Sequence, residues 1–212
     1  MNDLSMSRAS LDEEVYLRSL TGYVVAGRLL KGFERVLIIT LPDRICSSLS
    51  AAISSSLLAH SGYKGSLARI LMYEDDRAKL VEKVRAALAE FKPDAVFIVF
   101  GGEERMSKVA EKAKTTVEAL QEAGFSGALA IHVRTWLATK QLGNIVAEQR
   151  LASYLSSLRE IRVFTADLQQ KKFVFHKVKV ENSAVKPQPY DEASLIDEHV
   201  ELLKKSLPPP EQ

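Results

Sequence analysis

Short apolar runs alternate with longer amphipathic stretches along this chain. Residues 11–32 predict a helix: Leu20, Val24, Gly27 and Leu30 recur near a period of 3.6, and Gly32 stands where a stop is expected. Gly22, Ala26 and Gly27 make this helix thin enough for another to approach closely. Arg35–Leu41 (RVLIITL) is short, apolar and β-branched, which is how a strand buried on both faces reads. Pro42 ends it, and Asp43 can cap a helix over 44–61. Ser47, Ser48, Ser50, Ser54, Ser55 and Ser56 give that helix a small face suited to close packing. A strand over 66–73, an amphipathic helix over 74–91 and a buried strand over 94–100 (DAVFIVF) follow. After Gly101–Gly102 come a long helix to about Ala123, a strand over 128–133, helical character over 144–159 and a strand over 161–165. Residues 172–180 set Val174, His176, Val178 and Val180 against Phe173, Phe175, Lys177 and Lys179. This alternation predicts a half-exposed edge strand, antiparallel to its predecessor through a turn near Gln169–Gln170. Pro187 and Pro189 mark a linker, and a last amphipathic helix aligns Ile196, Val200, Leu203 and Leu207.

Strands alternating with helices of this length argue for parallel βαβ units. The expected fold is α/β: a Rossmann-like, doubly wound, mostly parallel sheet of five to six strands with an antiparallel edge strand. The expected division is an N-terminal helix within residues 1–34, an α/β domain over 35–182, and a linker with a C-terminal helix over 183–212.

The 212 residues carry a net charge of +2 and 26% charged side chains, values that suit one ordinary globular core. So small a net charge names no partner: a nucleic-acid binder would need its basic residues clustered. Cys46 is the single cysteine, so neither an internal disulfide nor a CxxC zinc pair is available, as suits a reducing, cytoplasmic setting. The acidic opening (Asp3, Asp12, Glu13, Glu14) lacks the basic start and unbroken apolar run of a secretory signal. No apolar stretch nears the roughly 20 residues of a membrane span. Scarce Asn and Cys beside plentiful Lys, Arg and Glu lean toward a thermophile.

In an open parallel sheet, ligands bind beyond the carboxyl ends of the strands. That rule selects Thr40, Arg44, Gly101, Gly102, Arg105, Arg134 and Trp136 as candidate ligand-binding residues. Three arginines on one sheet edge suit phosphate. A Gly–Gly turn lets a ligand reach the backbone, and Trp136 could stack on a base. The plainer reading pairs these arginines with Asp43, Glu103 or Glu104 and makes the glycines a tight turn. His132, at a strand end, could act as a general base with Ser47 as nucleophile, although a lone histidine there is more often structural. Cys46 reads as packing. Glu74–Asp75–Asp76 could hold a divalent metal, but acids at a helix start are explained by the helix dipole. GxGxxG, Walker A, HExxH and GxSxG motifs are absent, and the sequence gives no reason to expect a metal or a cofactor.

Phe100–Ala110 (FGGEERMSKVA) resembles a turn of CARF domains, the Rossmann-like sensors of cyclic oligoadenylates in CRISPR defence. Gly101, Gly102, Met106 and Ser107 match. Phe100 stands where that family has Thr, and Glu103 and Glu104 stand where it has a basic residue. The resemblance implies a homodimer with the ligand across its two-fold axis. The leading functional reading is therefore a non-enzymatic nucleotide- or nucleic-acid-linked binding or sensor protein, with a nucleotide or oligonucleotide ligand and a homodimeric state. One alternative is a protein-interaction subunit with a degenerate core, binding a partner through its outer helices. The other is a hydrolase or transferase using His132.

Overall fold

A computed structural model describes residues 8–63, 65 and 67–206. Ser66 and Leu207, named above, lie outside them. The described chain is one seven-stranded sheet with helices on both faces. The helices are α1 (Leu11–Arg28), α2 (Arg44–His60), α3 (Arg77–Phe91), α4 (Met106–Glu122), α5 (Val133–Ala138), α6 (Gly143–Val146), α7 (Gln149–Ser157) and α8 (Asp197–Ser206). The strands are β1 (Arg35–Thr40), β2 (Leu67–Met72), β3 (Ala95–Val99), β4 (Ala128–Ile131), β5 (Glu160–Asp167), β6 (Lys172–Glu181) and β7 (Ala184–Ser194). Their spatial order is β2-β1-β3-β4-β5-β6-β7. The first five are parallel, and β6 and β7 are antiparallel. No described helix is long and apolar enough to cross a membrane.

The pleat divides the core in two. Leu37, Ile39, Val96, Ile98, Leu129 and Ile131 face α3, α4 and α7, whose Leu80, Val84, Val117, Leu151 and Leu155 cover them. Val36, Ile38, Phe97, Val99 and Ala130 face the other way, onto α1, α2 and α8 through Val25, Leu29, Ile53 and Val200. Strands covered on both sides carry no polar alternation, which is why β1 and β3 read as continuous apolar runs.

Three expectations change. The sheet has seven strands, because the stretch read as a linker is β7. Its Pro187 and Pro189 lie opposite Val178 and His176, beside a register shift at Phe175/His176. β7 is one of the sheet's two outer strands, where a residue without an N–H can face away from the ladder. β6 is consequently internal, and each of its faces is covered at a different end: Phe173 and Phe175 on the α8 side, Val178 and Val180 on the α7 side. The helix read from residue 74 begins at Arg77, because the Asp76 carboxylate accepts the N–H groups of Ala78 and Lys79. Glu74 pairs with Lys83 and Asp75 with Lys112, so this acidic trio is spent on a cap and two ion pairs.

The thin face of α1 meets α2. A Cβ at Gly22 would stand 2.7 Å from Cβ of Ala52 and 3.1 Å from the backbone of Ile53, whereas the atoms nearest one at Gly27 belong to the His60 ring, the first at 2.8 Å. Backbone cannot yield but an imidazole can turn. Gly22→Ala is therefore expected to cost about 1–3 kcal/mol. Gly27→Ala should stay within about 1 kcal/mol of the parent, its gain in helix propensity offsetting the displaced ring. Urea denaturation of the two variants measures both.

Candidate functional site

The carboxyl ends of the parallel strands open under α1 and α8. Three short segments floor the opening: Leu41–Asp43 after β1, Phe100–Arg105 after β3 and His132 after β4. Asp43 caps α2, its Oδ1 accepting from the Cys46 N–H at 2.8 Å. The Asp43 carboxylate also lies flat on Gly102, where a Cβ would come within 2.3 Å of either oxygen. Gly101 is covered by His132 in the same way, a Cβ there falling 2.5 Å from the ring. The two glycines are needed for close approach, but the groups that approach are the protein's own side chains.

His132 is 3% exposed. Its Nδ1 accepts from the Arg134 N–H at 3.3 Å, which places the imidazole proton on Nε2, and its ring stands edge-on to Phe164 at 5.4 Å. Burial, reinforced by the charges of Arg18 and Arg134, pushes its pKa down to about 3. It is thus a neutral hydrogen-bond donor. No serine or carboxylate pairs with it among the described residues, and a base of that strength takes no proton at neutral pH. The hydrolase or transferase reading with His132 and Ser47 is corrected accordingly. Ser47 lies half-buried on α2 and lines neither cavity described below. Burial, reinforced by Asp43, pushes the Cys46 thiol up to about 12, so it is inert.

Arg18 is the group that sequence reasoning missed. It sits on the buried side of α1 among Leu17, Thr21, Gly22 and Val25 and is 7% exposed. Its Nη2 donates to Glu14 at 2.7 Å and to Ser206 Oγ at 2.9 Å. Burial pulls its pKa down while Glu14 opposes the fall. Lys205–Glu13 at 2.7 Å and Thr21–His199 at 3.0 Å complete the α1–α8 seam. A charged residue inside an apolar helical face was the available signal.

Two cavities meet at this point. One, of about 350 Å³, is polar and is lined by Glu14, Arg44, Glu103 and Lys205. The other, of about 310 Å³, is apolar and is lined by Met106, Val133, Leu137, Leu168 and Leu203, with His132 in its wall. Arg18, Arg134 and Ser206 border both. Arg18 Nε, Arg134 Nε and His132 Nε2 are buried without a hydrogen-bond partner among the described residues. Arg134 donates through Nη2 to the Glu104 carbonyl and forms no ion pair among those residues. Arg44 is exposed and pairs with Glu103 at 3.3 Å.

Of the predicted ligand residues, the fold thus brings Arg44, Arg134, Gly101 and Gly102 to the crevice. Arg105 is exposed at the start of α4 and lines neither cavity. Thr40 is buried, donating to the Val99 carbonyl at 3.3 Å. Trp136 is 2% exposed and packs in the α3/α4 core, so it offers no stacking surface. No group of three or more metal-ligating side chains is placed to hold a metal ion among the described residues.

The histidines predict a pH dependence. His132 and His199 have pKa values lowered by burial from the ordinary 6.5 to about 3 and about 4. Between those values and 6.5 the unfolded chain binds more protons than the folded one. Their contribution to stability is full above pH 6.5 and lost as the pH falls toward 3, at about 1.4 kcal/mol per pH unit per histidine in the middle of that window. Urea titrations at pH 7 and pH 4.5 measure the loss, and His132→Gln should flatten the slope.

A family model described as "Uncharacterized protein" matches residues 14–202. No curated protein matches the sequence. Among solved structures, the C-domain of LpoA (YraM) from Haemophilus influenzae, a regulator of PBP1A, is similar with a TM-score of 0.50 at 7% identity, covering 81% of this chain and 67% of that one. An extracellular ligand-binding receptor from Verminephrobacter eiseniae gives 0.49 at 12% identity, over 71% of this chain and 37% of that one. The leucine-binding protein LivK from Thermotoga maritima gives 0.44 at 14%, over 74% and 39%. The chain thus spans under two-fifths of the length of these two ligand-binding proteins.

These likenesses concern the fold alone, and the CARF resemblance is corrected: the family model that matches residues 14–202 is described as "Uncharacterized protein", not as a CARF domain. The nucleotide-sensing function, the nucleotide or oligonucleotide ligand and the homodimer tied to it fall with that resemblance. The turn that carried it gives the physical reason. Gly102 lies under the Asp43 carboxylate, and Glu103 follows at the cavity edge, so a polyanion would meet negative charge where it needs positive. The match over residues 14–202 makes this chain a member of the family described as "Uncharacterized protein".

Proposed function

We propose that this chain is a small-molecule binding domain whose ligand occupies the two-chambered crevice at the carboxyl ends of the strands. The observation that carries the reading is the common wall of the two chambers, where Arg18 and Arg134 each keep a buried, unpaired Nε, beside the unpaired His132 Nε2 of the apolar chamber. In the finer, Rossmann-like reading of the sheet, connections leave β1 and β3 in opposite directions: α2 covers one face and α4 the other. Open sheets of this order hold their ligands at that switch point. Chambers of about 350 and 310 Å³ fall at the small end of the range for ligand sites, roughly 300–1,000 Å³. An apolar body beside a few convergent polar groups is the ordinary make-up of such a site. These features favour a bound molecule over an interaction subunit without one.

The test is a thermal-shift screen of small organic molecules against the full chain and its Leu168→Trp variant. Leu168 borders the apolar chamber from the turn between β5 and β6, so tryptophan there fills the chamber without entering the sheet. A ligand at 100 times its Kd stabilises by about 2.7 kcal/mol, which is roughly 5–10 °C for a chain of this size. Shifts lost in Leu168→Trp are the expected result. Shifts that survive in it place the ligand elsewhere, and a flat screen removes the proposal.

A further inference from the structure

We infer that the wall between the two chambers receives a single carboxylate, and that the rest of the ligand is an apolar body lying in the smaller chamber. The inference rests on the crevice being a small-molecule site and adds the chemical class of its occupant.

Three nitrogens define the demand. Arg18 Nε, Arg134 Nε and His132 Nε2 are buried and unpartnered among the described residues, and all three side chains border the 310 Å³ chamber. Each is a donor. A guanidinium nitrogen accepts nothing, and His132 Nδ1 already accepts the Arg134 N–H, so its proton is on Nε2. Donors alone, clustered and dry, call for a group that brings lone pairs and no proton of its own. A carboxylate brings two such oxygens in a plane that matches a guanidinium edge.

The surrounding charge sets how much negative charge can enter. Arg18 is committed to Glu14, Arg44 to Glu103 and Lys205 to Glu13. Arg134 and, in the polar chamber alone, Arg8 have no ion pair among the described residues, and Asp43 and Glu14 act on Arg134 only through space. At the common wall one anionic group answers Arg134, whereas a phosphate or a dicarboxylate there would bring a second negative charge close to Asp43, Glu103 and Glu14. The apolar chamber has no acidic residue in its lining, and the acids of the polar one, Glu14 and Glu103, already face Arg18 and Arg44, so an ammonium beside the carboxylate meets no unpaired acid in either lining. That separates a simple apolar acid from an amino acid.

Calorimetric titration of the full chain with matched pairs tests the class: hexanoate against hexanamide, phenylacetate against phenylacetamide, with leucine and inorganic phosphate alongside. The acids should bind and each amide should bind at least tenfold more weakly. Arg134→Gln should weaken the acids roughly 10- to 100-fold, the range for a lost charge-assisted hydrogen bond. It should leave the amides within about twofold, and Arg134→Lys should recover part of the loss. Equal binding of acid and amide, tighter binding of leucine or phosphate than of either acid, or an Arg134→Gln variant with unchanged acid affinity would each overturn the carboxylate. Amides that bind as well as the acids, and are lost in Leu168→Trp, would leave the crevice standing as the site. If no acid, amide or amino acid binds, the carboxylate falls. The crevice reading is then decided by the broader screen. Should Arg134→Gln melt too low to titrate, the acid–amide comparison on the unaltered protein decides.

Discussion

A guanidinium taken out of water must be given partners, and the buried Arg18 imposes that requirement on everything around it. Glu14, one turn earlier on α1, supplies the charge, and Ser206 supplies a hydroxyl from the far end of the chain. The Ser206 hydroxyl itself donates to Glu14 at 3.0 Å, closing a three-membered network across the α1–α8 seam. Helices separated by the whole sheet in sequence are thereby fixed to each other above the strand ends. The same charge reaches down to His132 and His199, where it adds to burial in keeping both imidazoles neutral. One residue thus fixes the roof of the crevice and adds its charge to the burial that keeps the imidazoles neutral.

The floor follows a similar economy of space. Gly101 and Gly102 each yield the room of a side chain, and His132 and Asp43 occupy it. With the backbone of the β3–α4 turn covered, a ligand cannot be cradled there as a phosphate is in a glycine-rich loop. The open volume is displaced toward α1 and α8, and the residues that border it come from both chain termini as well as from the strand ends. This explains why a rule about strand ends finds only part of the site. Arg44, Arg134 and the two glycines follow from it. Arg18, Ser206 and Leu203 do not, because no periodicity within one segment says which remote helix will lie across a sheet.

The fold was legible where one physical signal acted alone. RVLIITL and DAVFIVF are buried on both faces, so their apolar runs admit little else. That some helix would come close to α1 was visible in Gly22 and Gly27, since a missing Cβ matters only where something comes near; that it is α2 was not. Legibility failed where two signals competed. In β7 the prolines spoke for a linker, yet an outer strand tolerates them, and pairing with β6 decided the outcome. The short α5 follows His132 directly, and its six residues offer too few turns for a period to appear. Trp136 was placed correctly near the strand ends but lies on the core side of α5, a distinction that hangs on helix rotation about a few residues.

What the crevice can do chemically follows from its proton equilibria. A general base needs a pKa near the working pH, and His132 is pushed to about 3. A thiol nucleophile needs to ionise, and Cys46 is pushed to about 12. Burial is the first cause in both cases, so the dryness that removes proton transfer is the same dryness that strengthens hydrogen bonds. His132 Nε2–H and the two Nε–H groups hold one protonation state across the neutral range and are positioned before any ligand arrives. Donors set in advance, in a place where water competes poorly, give up little ordering entropy when a partner binds. With two guanidiniums and a neutral imidazole set in advance, the crevice suits the proposed acceptor better than it suits exchanging a proton with it.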